Sequence, residues 1–136
     1  MANTKLPAAQ LTNGLVVFKP TPWQLVITLS NVSTTADTDV DLTSYTSTTA
    51  TWALLYCTVS SSNTTNATFL QMRKKGDTTA GGNVNVIYCG PTNGYFTTGQ
   101  FWVPLDANRK FTYNVNANAT SFTAAVYLVG YYEPTS

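Results

Sequence analysis

Apolar side chains in this sequence recur at every second position, and almost nowhere at the three-to-four-residue interval of a helix. Phe111, Tyr113 and Val115 alternate with Thr112, Asn114 and Asn116, while Phe122, Ala124, Val126 and Leu128 alternate with Thr123, Ala125 and Tyr127. A period of two sends each set to one face of an extended strand, where it can line a core. No ten-residue window carries a sustained i, i+3, i+4 apolar stripe. The pattern therefore demands an all-β fold. Composition agrees: charged residues make up 10% of the chain, against about 25% in ordinary globular proteins. Thr, Ser and Asn stand in for the missing charge. Thr favours strands and Asn and Ser favour turns, whereas helical surfaces are usually paved with Lys, Glu and Arg.

Turn clusters divide the alternating stretches into seven or eight strands. These are read at Trp23–Ser30, weakly at Val40–Tyr45, then at Thr51–Val59, Ala67–Lys75, Asn83–Cys89, Gln100–Asp106, Lys110–Asn116 and Ser121–Tyr132. Thr51–Val59 (TWALLYCTV) is nearly continuous in apolar character and predicts a strand buried on both faces. In Asn83–Cys89, Val84, Val86 and Tyr88 fall on one face. Pro104 cannot donate to a ladder and predicts an edge strand. Short strands at this spacing make an antiparallel two-sheet sandwich, jelly-roll-like or immunoglobulin-like. Trp52 precedes Cys57 without the Cys–Trp–Cys order of an immunoglobulin domain, so the jelly roll is preferred.

Residues 1–22 differ. They hold Pro7, Pro20 and Pro22, and Leu15–Phe18 stands alone as a short apolar run. Proline removes donors and pushes its predecessor toward extended backbone. The expectation is an extended N-terminal arm over 1–22, preceding a β-sandwich domain over 23–136. Leu6, Leu11, Leu15, Val16, Val17 and Phe18 are its assembly residues, lying on a neighbouring subunit. A chain of 136 residues can bury roughly two-thirds of its unfolded surface and needs no metal or disulfide staple.

The chemistry available is sparse. There is no histidine, which removes Ser–His–Asp and Cys–His catalysis and the usual proton shuttle. Cys57 and Cys89 lack CxxC spacing and read as two buried thiols. No glycine pattern forms a phosphate cradle. Asp37, Asp39 and Asp41 would share one strand face. That suits either a calcium ion or an edge guarded by like charges, and the guarded edge is preferred because the EF-hand pattern fails at Leu42 and Thr48. The aromatic residues Tyr95, Phe96, Trp102, Tyr131 and Tyr132 could stack on sugar rings, or fill a core or a subunit interface. The net charge of +1 gives little with which to neutralise phosphates, so nucleic acid is not expected as a partner. No apolar run is long enough to cross a bilayer as a helix. The opening residues lack the apolar core of a secretory signal. Neither enzyme activity nor a cofactor is expected.

Two stretches carry a resemblance. Leu6–Gly14 (LPAAQLTNG) resembles the xxAAxLTGxLP segment of bacteriophage tail-fibre shafts, departing at Asn13 and at Val16 and Val17 in place of a Leu-Pro step. Phe101–Tyr113 (FWVPLDANRKFTY) and Tyr127–Tyr132 (YLVGYY) are similar to the C-terminal half of small phage β-sandwich domains on fibres and capsid decorations. The resemblance implies a homotrimeric virion-surface protein, synthesised in the host cytoplasm and attached to other virion proteins through its arm. Its role would be capsid decoration, cement or head fibre; the competing role is a tail-fibre tip or adhesin recognising host-surface glycan. A free carbohydrate-binding module would need a catalytic partner or linker that the sequence does not show.

Overall fold

The computed structural model describes residues 14–63, 65–78, 85–91, 95–116 and 121–134. Nine strands run in order: β1 (Leu15–Phe18), β2 (Gln24–Val32), β3 (Thr35–Asp41), β4 (Trp52–Ser61), β5 (Thr68–Lys74), β6 (Asn85–Cys89), β7 (Tyr95–Pro104), β8 (Lys110–Asn116) and β9 (Phe122–Glu133). No helix occurs among the described residues. One sheet has the order β1-β9-β4-β7 with β2 also paired to β9, and the other has the order β3-β8-β5-β6.

The connectivity is that of a jelly roll, and the pairings show why. β5 pairs with β6, β4 with β7, β3 with β8 and β2 with β9, all antiparallel. These are the nested pairs of one long two-stranded ribbon with its tip between β5 and β6. The ribbon bends over so that β4 also meets β9, and β5 also meets β8. Two sheets result, each using alternate side chains to face the other. The core between them includes Leu55, Cys57 and Val59 from β4, Leu70 and Met72 from β5, Phe111 and Val115 from β8, and Phe122, Val126 and Leu128 from β9. The alternation read in β8 and β9 is the alternation that points inward.

Several boundaries and faces differ from the sequence reading. β3 lies at Thr35–Asp41, and the weak Val40–Tyr45 strand is mostly a turn. Its acidic residues hid it, because only Val40 of this strand is buried. In β6 the inward residues are Ile87 and Cys89, while Tyr88 stands outside; Val84 lies outside the described residues. β7 starts at Tyr95, well before Gln100, since Thr97, Thr98 and Gly99 extend the ladder against β4 despite their turn-like composition. Pro104 does sit on an edge strand. β4 is continuously buried only over Ala53–Leu55, after which buried and half-buried residues alternate.

Of the segment read as an arm, the described residues are 14–22. Leu6 and Leu11 lie outside the described residues, but Leu15, Val16, Val17 and Phe18 form β1 and pair with β9 of their own subunit. β9 is twelve residues long and outruns β2, whose pairing ends at Leu128, so its C-terminal end would be left with unpaired ladder groups on that edge. β1 pairs with that end over Gly130–Glu133, and the Lys19 amide continues the ladder by donating to the Val129 carbonyl at 2.7 Å. The backbone is thus held within the subunit, while Leu15, Val16 and Phe18 keep exposed side chains. Gly130 makes this docking possible. A Cβ there would lie 2.6 Å from the Val17 carbonyl oxygen and 3.3 Å from the Phe18 Cα. Both are backbone atoms and cannot swing aside. Gly130→Ala should therefore detach β1 and leave the sandwich folded: amide exchange should rise more than tenfold at residues 16–19 and stay unchanged in β8. Unaltered exchange in β1 would show that the close approach is not required.

Candidate functional site

The two outer faces of the sandwich are chemically opposite. On the four-stranded sheet, edge strand β3 presents Asp37, Asp39 and Asp41, and each carboxylate meets a base. Asp37 pairs with Arg73, Asp39 with Lys75 at 2.6 Å, and Asp41 with Lys110 at 3.7 Å. Neutral donors complete the ladder. The Asn114 amide donates to Asp37 at 2.7 Å, the Thr112 hydroxyl to Asp39 at 2.8 Å, and the Thr43 amide to Asp41 at 2.9 Å. The three acids stand exposed on an edge strand, as the guarded-edge reading expects, and the fold adds a basic partner to each one.

This ladder should titrate. The Asn114 hydrogen bond and then Arg73 hold Asp37 below its ordinary value of 3.8; Lys75 and Thr112 do the same for Asp39, and the Thr43 backbone amide for Asp41. A carboxyl depressed by folding contributes stability that is complete above about pH 3.8 and is lost as pH falls through the lower folded value. The melting temperature should drop on acidification below pH 4, and less steeply in an Asp37→Asn, Asp39→Asn, Asp41→Asn triple variant. Because the pairs are exposed, added salt should shrink the difference. Equal acid slopes in the two proteins would remove the ladder from the stability account.

Among the described residues the outer face of the five-stranded sheet has no such groups. Ladder register places its outward residues in rows across β7, β4, β9 and the β1/β2 edge. Pro104, Trp52, Tyr132 and Val16 form one row, Trp102, Leu54, Gly130 and Phe18 the next, and Gln100, Tyr56, Tyr127 and Leu25 the third. Further along come Thr98, Thr58, Ala125 and Thr28, then Phe96, Ser60 and Thr123. Among the described residues no Asp, Glu, Lys or Arg stands in these rows. The rings are locally organised: Trp23 packs on Tyr56 with centroids 5.5 Å apart, and Tyr56 faces Tyr127 at 6.4 Å. The hydroxyl rows line a shallow depression of about 260 Å³ beside Phe96.

Of the aromatic residues picked out in the sequence, Phe96, Trp102 and Tyr132 belong to this face, and Tyr95 opens β7. Tyr131 points the other way and packs against the core. Of the assembly residues, Val16 and Phe18 fall on the same face, Val17 is opposite Tyr131 on the inner side, and Leu15 lies at the end of the ladder. Trp52, Leu54, Tyr56, Leu25 and Tyr127 were missed as members of a site. Their signal was visible in TWALLYCTV, where both alternating sets are apolar.

Other polar groups serve the loops. Asp106 accepts the Asn108 and Lys110 amides at 2.9 and 2.8 Å, and Glu133 accepts the Ser47 hydroxyl. Cys57 and Cys89 are free and buried; burial pushes their thiols up to about 12 and about 11. They are packed as small hydrophobes rather than activated as thiolates. Among the described residues no group of three or more His, Cys, Asp or Glu is placed to hold a metal.

Fold and faces together define a jelly-roll module with a charged side and a side whose described rows are aromatic and carry no charge. No protein-family model matches the chain, and no curated protein is significantly similar to it.

Proposed function

We propose that this chain is a non-catalytic structural protein of the bacteriophage virion surface, a capsid decoration, cement or head-fibre subunit whose five-stranded sheet provides the docking side. The observation that carries the proposal is the segregation of charge. Three ion pairs occupy one outer face, and the described rows of the other contain only aromatic, aliphatic, hydroxyl and amide groups. Interface cores are depleted in charge and enriched in aromatic residues, whereas a free surface needs charge for solubility. A module built this way suits an ordered assembly with one side covered. The likeness of Leu6–Gly14 and Phe101–Tyr113 to phage fibre and decoration segments directs the proposal to the virion. A jelly roll alone does not, because the fold hosts many functions.

A second role, a fibre tip or adhesin binding host glycan, draws support from one feature. Phe96 borders the depression lined by Thr28, Thr58, Ser60 and Thr123, and such a ring beside hydroxyls can stack on a neutral sugar. Immunogold labelling of purified particles with antibody to this chain tests the main proposal. Gold on the capsid or its fibres is the expected result, and particles free of label overturn it. Binding of the purified chain to an array of neutral glycans would shift the role to attachment.

A further inference from the structure

We infer that the occupant of the five-stranded sheet's outer face is a second copy of this chain, so that the face is the core of a homo-oligomer. The inference rests on reading this face as the docking side and names what docks there. Six large apolar side chains stand exposed on it: Phe18 at 68%, Phe96 at 62%, Leu25 at 42%, Val16 and Trp52 at 39% and Trp102 at 38%. Together they expose several hundred Å², on the order of the ~800 Å² per partner that a specific interface covers. That exceeds what isolated surface hydrophobes account for.

The chemistry of the face selects the partner. A nucleic acid or an acidic protein would require cations in these rows, and none is present among the described residues. A sugar could stack on Trp52 and Trp102, but Val16, Phe18 and Leu25 offer nothing to the hydroxyls of a glycan, which would be desolvated without partners. Those aliphatic and phenyl groups call for an apolar protein surface. The polar members include Thr28, Thr58, Thr98, Ser60, Thr123 and Gln100, with the hydroxyls of Tyr56, Tyr127 and Tyr132. A hydroxyl or an amide both donates and accepts, so each can hydrogen-bond to a copy of itself. A charged group could not, because its copy would repel it. A face whose described residues include no ionised group and only self-pairing polar groups is therefore complementary to itself. Oligomers of a single chain need that property wherever one patch meets the same patch.

The test is the solution mass of the full chain by light scattering, with two charge insertions on the face and one off it. Wild type should run at twice its 14.7 kDa at micromolar concentration. Leu25→Glu and Trp102→Glu, each at an already exposed position, should give the single-chain mass with an unchanged strand signal in circular dichroism. Tyr88→Glu places the same charge at a comparably exposed site on the opposite sheet and should leave the oligomer intact. A monomeric wild type, or an unchanged oligomer in folded Leu25→Glu, overturns the inference. A monomer that still labels particles would defeat self-association alone, and an oligomer absent from particles would defeat the virion reading alone.

Discussion

Replacing Phe111 by alanine should cost about 3–5 kcal/mol of folding stability, the range for a buried phenyl ring lost from a packed core. Phe111 is fully buried in β8, the strand that holds β3 on one side and β5 on the other. Its ladder neighbours are Val40 and Lys74. Val40 is the only buried residue of β3, so that strand has little else to anchor it if the ring is removed. The remaining cavity cannot close easily, because both flanking strands are fixed by their ladders. For a chain of this size the loss should lower the melting temperature on the order of 10–15 °C. Urea denaturation at fixed protein concentration measures it without interference from mass action. A cost below about 1 kcal/mol would mean that the core refills the space, and Phe111 would not be the plug that holds β3.

How far the sequence revealed this molecule depends on which physical signal each element carries. β8 and β9 are half-buried strands whose apolar residues alternate, and their inward residues could be named at once: Phe111 and Val115, and Phe122, Ala124, Val126 and Leu128. β3 was obscure because an edge strand bearing three acids offers one buried residue and no pattern. Its partners in charge, Arg73, Lys75 and Lys110, lie far away in sequence and meet it only through the β3-β8-β5 order. β1 was obscure for another reason. Its pairing depends on β9 outrunning β2 and on the missing Cβ of Gly130, and neither is a property of residues 15–18 themselves.

The aromatic face was present in the sequence but was assigned to the wrong cause. TWALLYCTV is apolar in both alternating sets, which in a parallel sheet means helices on both sides. In an antiparallel two-layer sandwich only one face has a second layer. Of the other apolar set, Leu54 is buried and Tyr56 half-buried within the chain, while Trp52 must be covered from outside the domain or stay wet. Read with that constraint, continuous apolar character in an antiparallel strand points to an interface. The constraint becomes usable only once the layer count is known.

A second large effect is expected at Arg109, and its sign separates two causes. Arg109 has a φ of 60°, in the left-handed region where a side chain costs about 1–2 kcal/mol. It ends the turn from Asp106, whose carbonyl accepts the Arg109 amide at 3.0 Å. Glycine is the residue such a position normally favours. Arginine is accommodated because its guanidinium donates to the carbonyls of Thr43, Thr46 and Ser47 at 3.1, 3.2 and 3.4 Å. It thereby clamps the loop between β3 and β4 against the β7–β8 turn. Arg109→Ala removes the clamp and keeps the backbone strain, and should cost about 2–3 kcal/mol, given the strength of hydrogen bonds to charged groups and their partial exposure here. Arg109→Gly removes the clamp and relieves the strain, so it should cost about 1 kcal/mol less than the alanine variant. Glycine ordinarily destabilises relative to alanine, which makes this ordering diagnostic. Denaturant unfolding of the two variants side by side decides it. If alanine proves as stable as glycine, the left-handed turn is not what holds this corner; if both match wild type, the three carbonyls do not depend on the guanidinium.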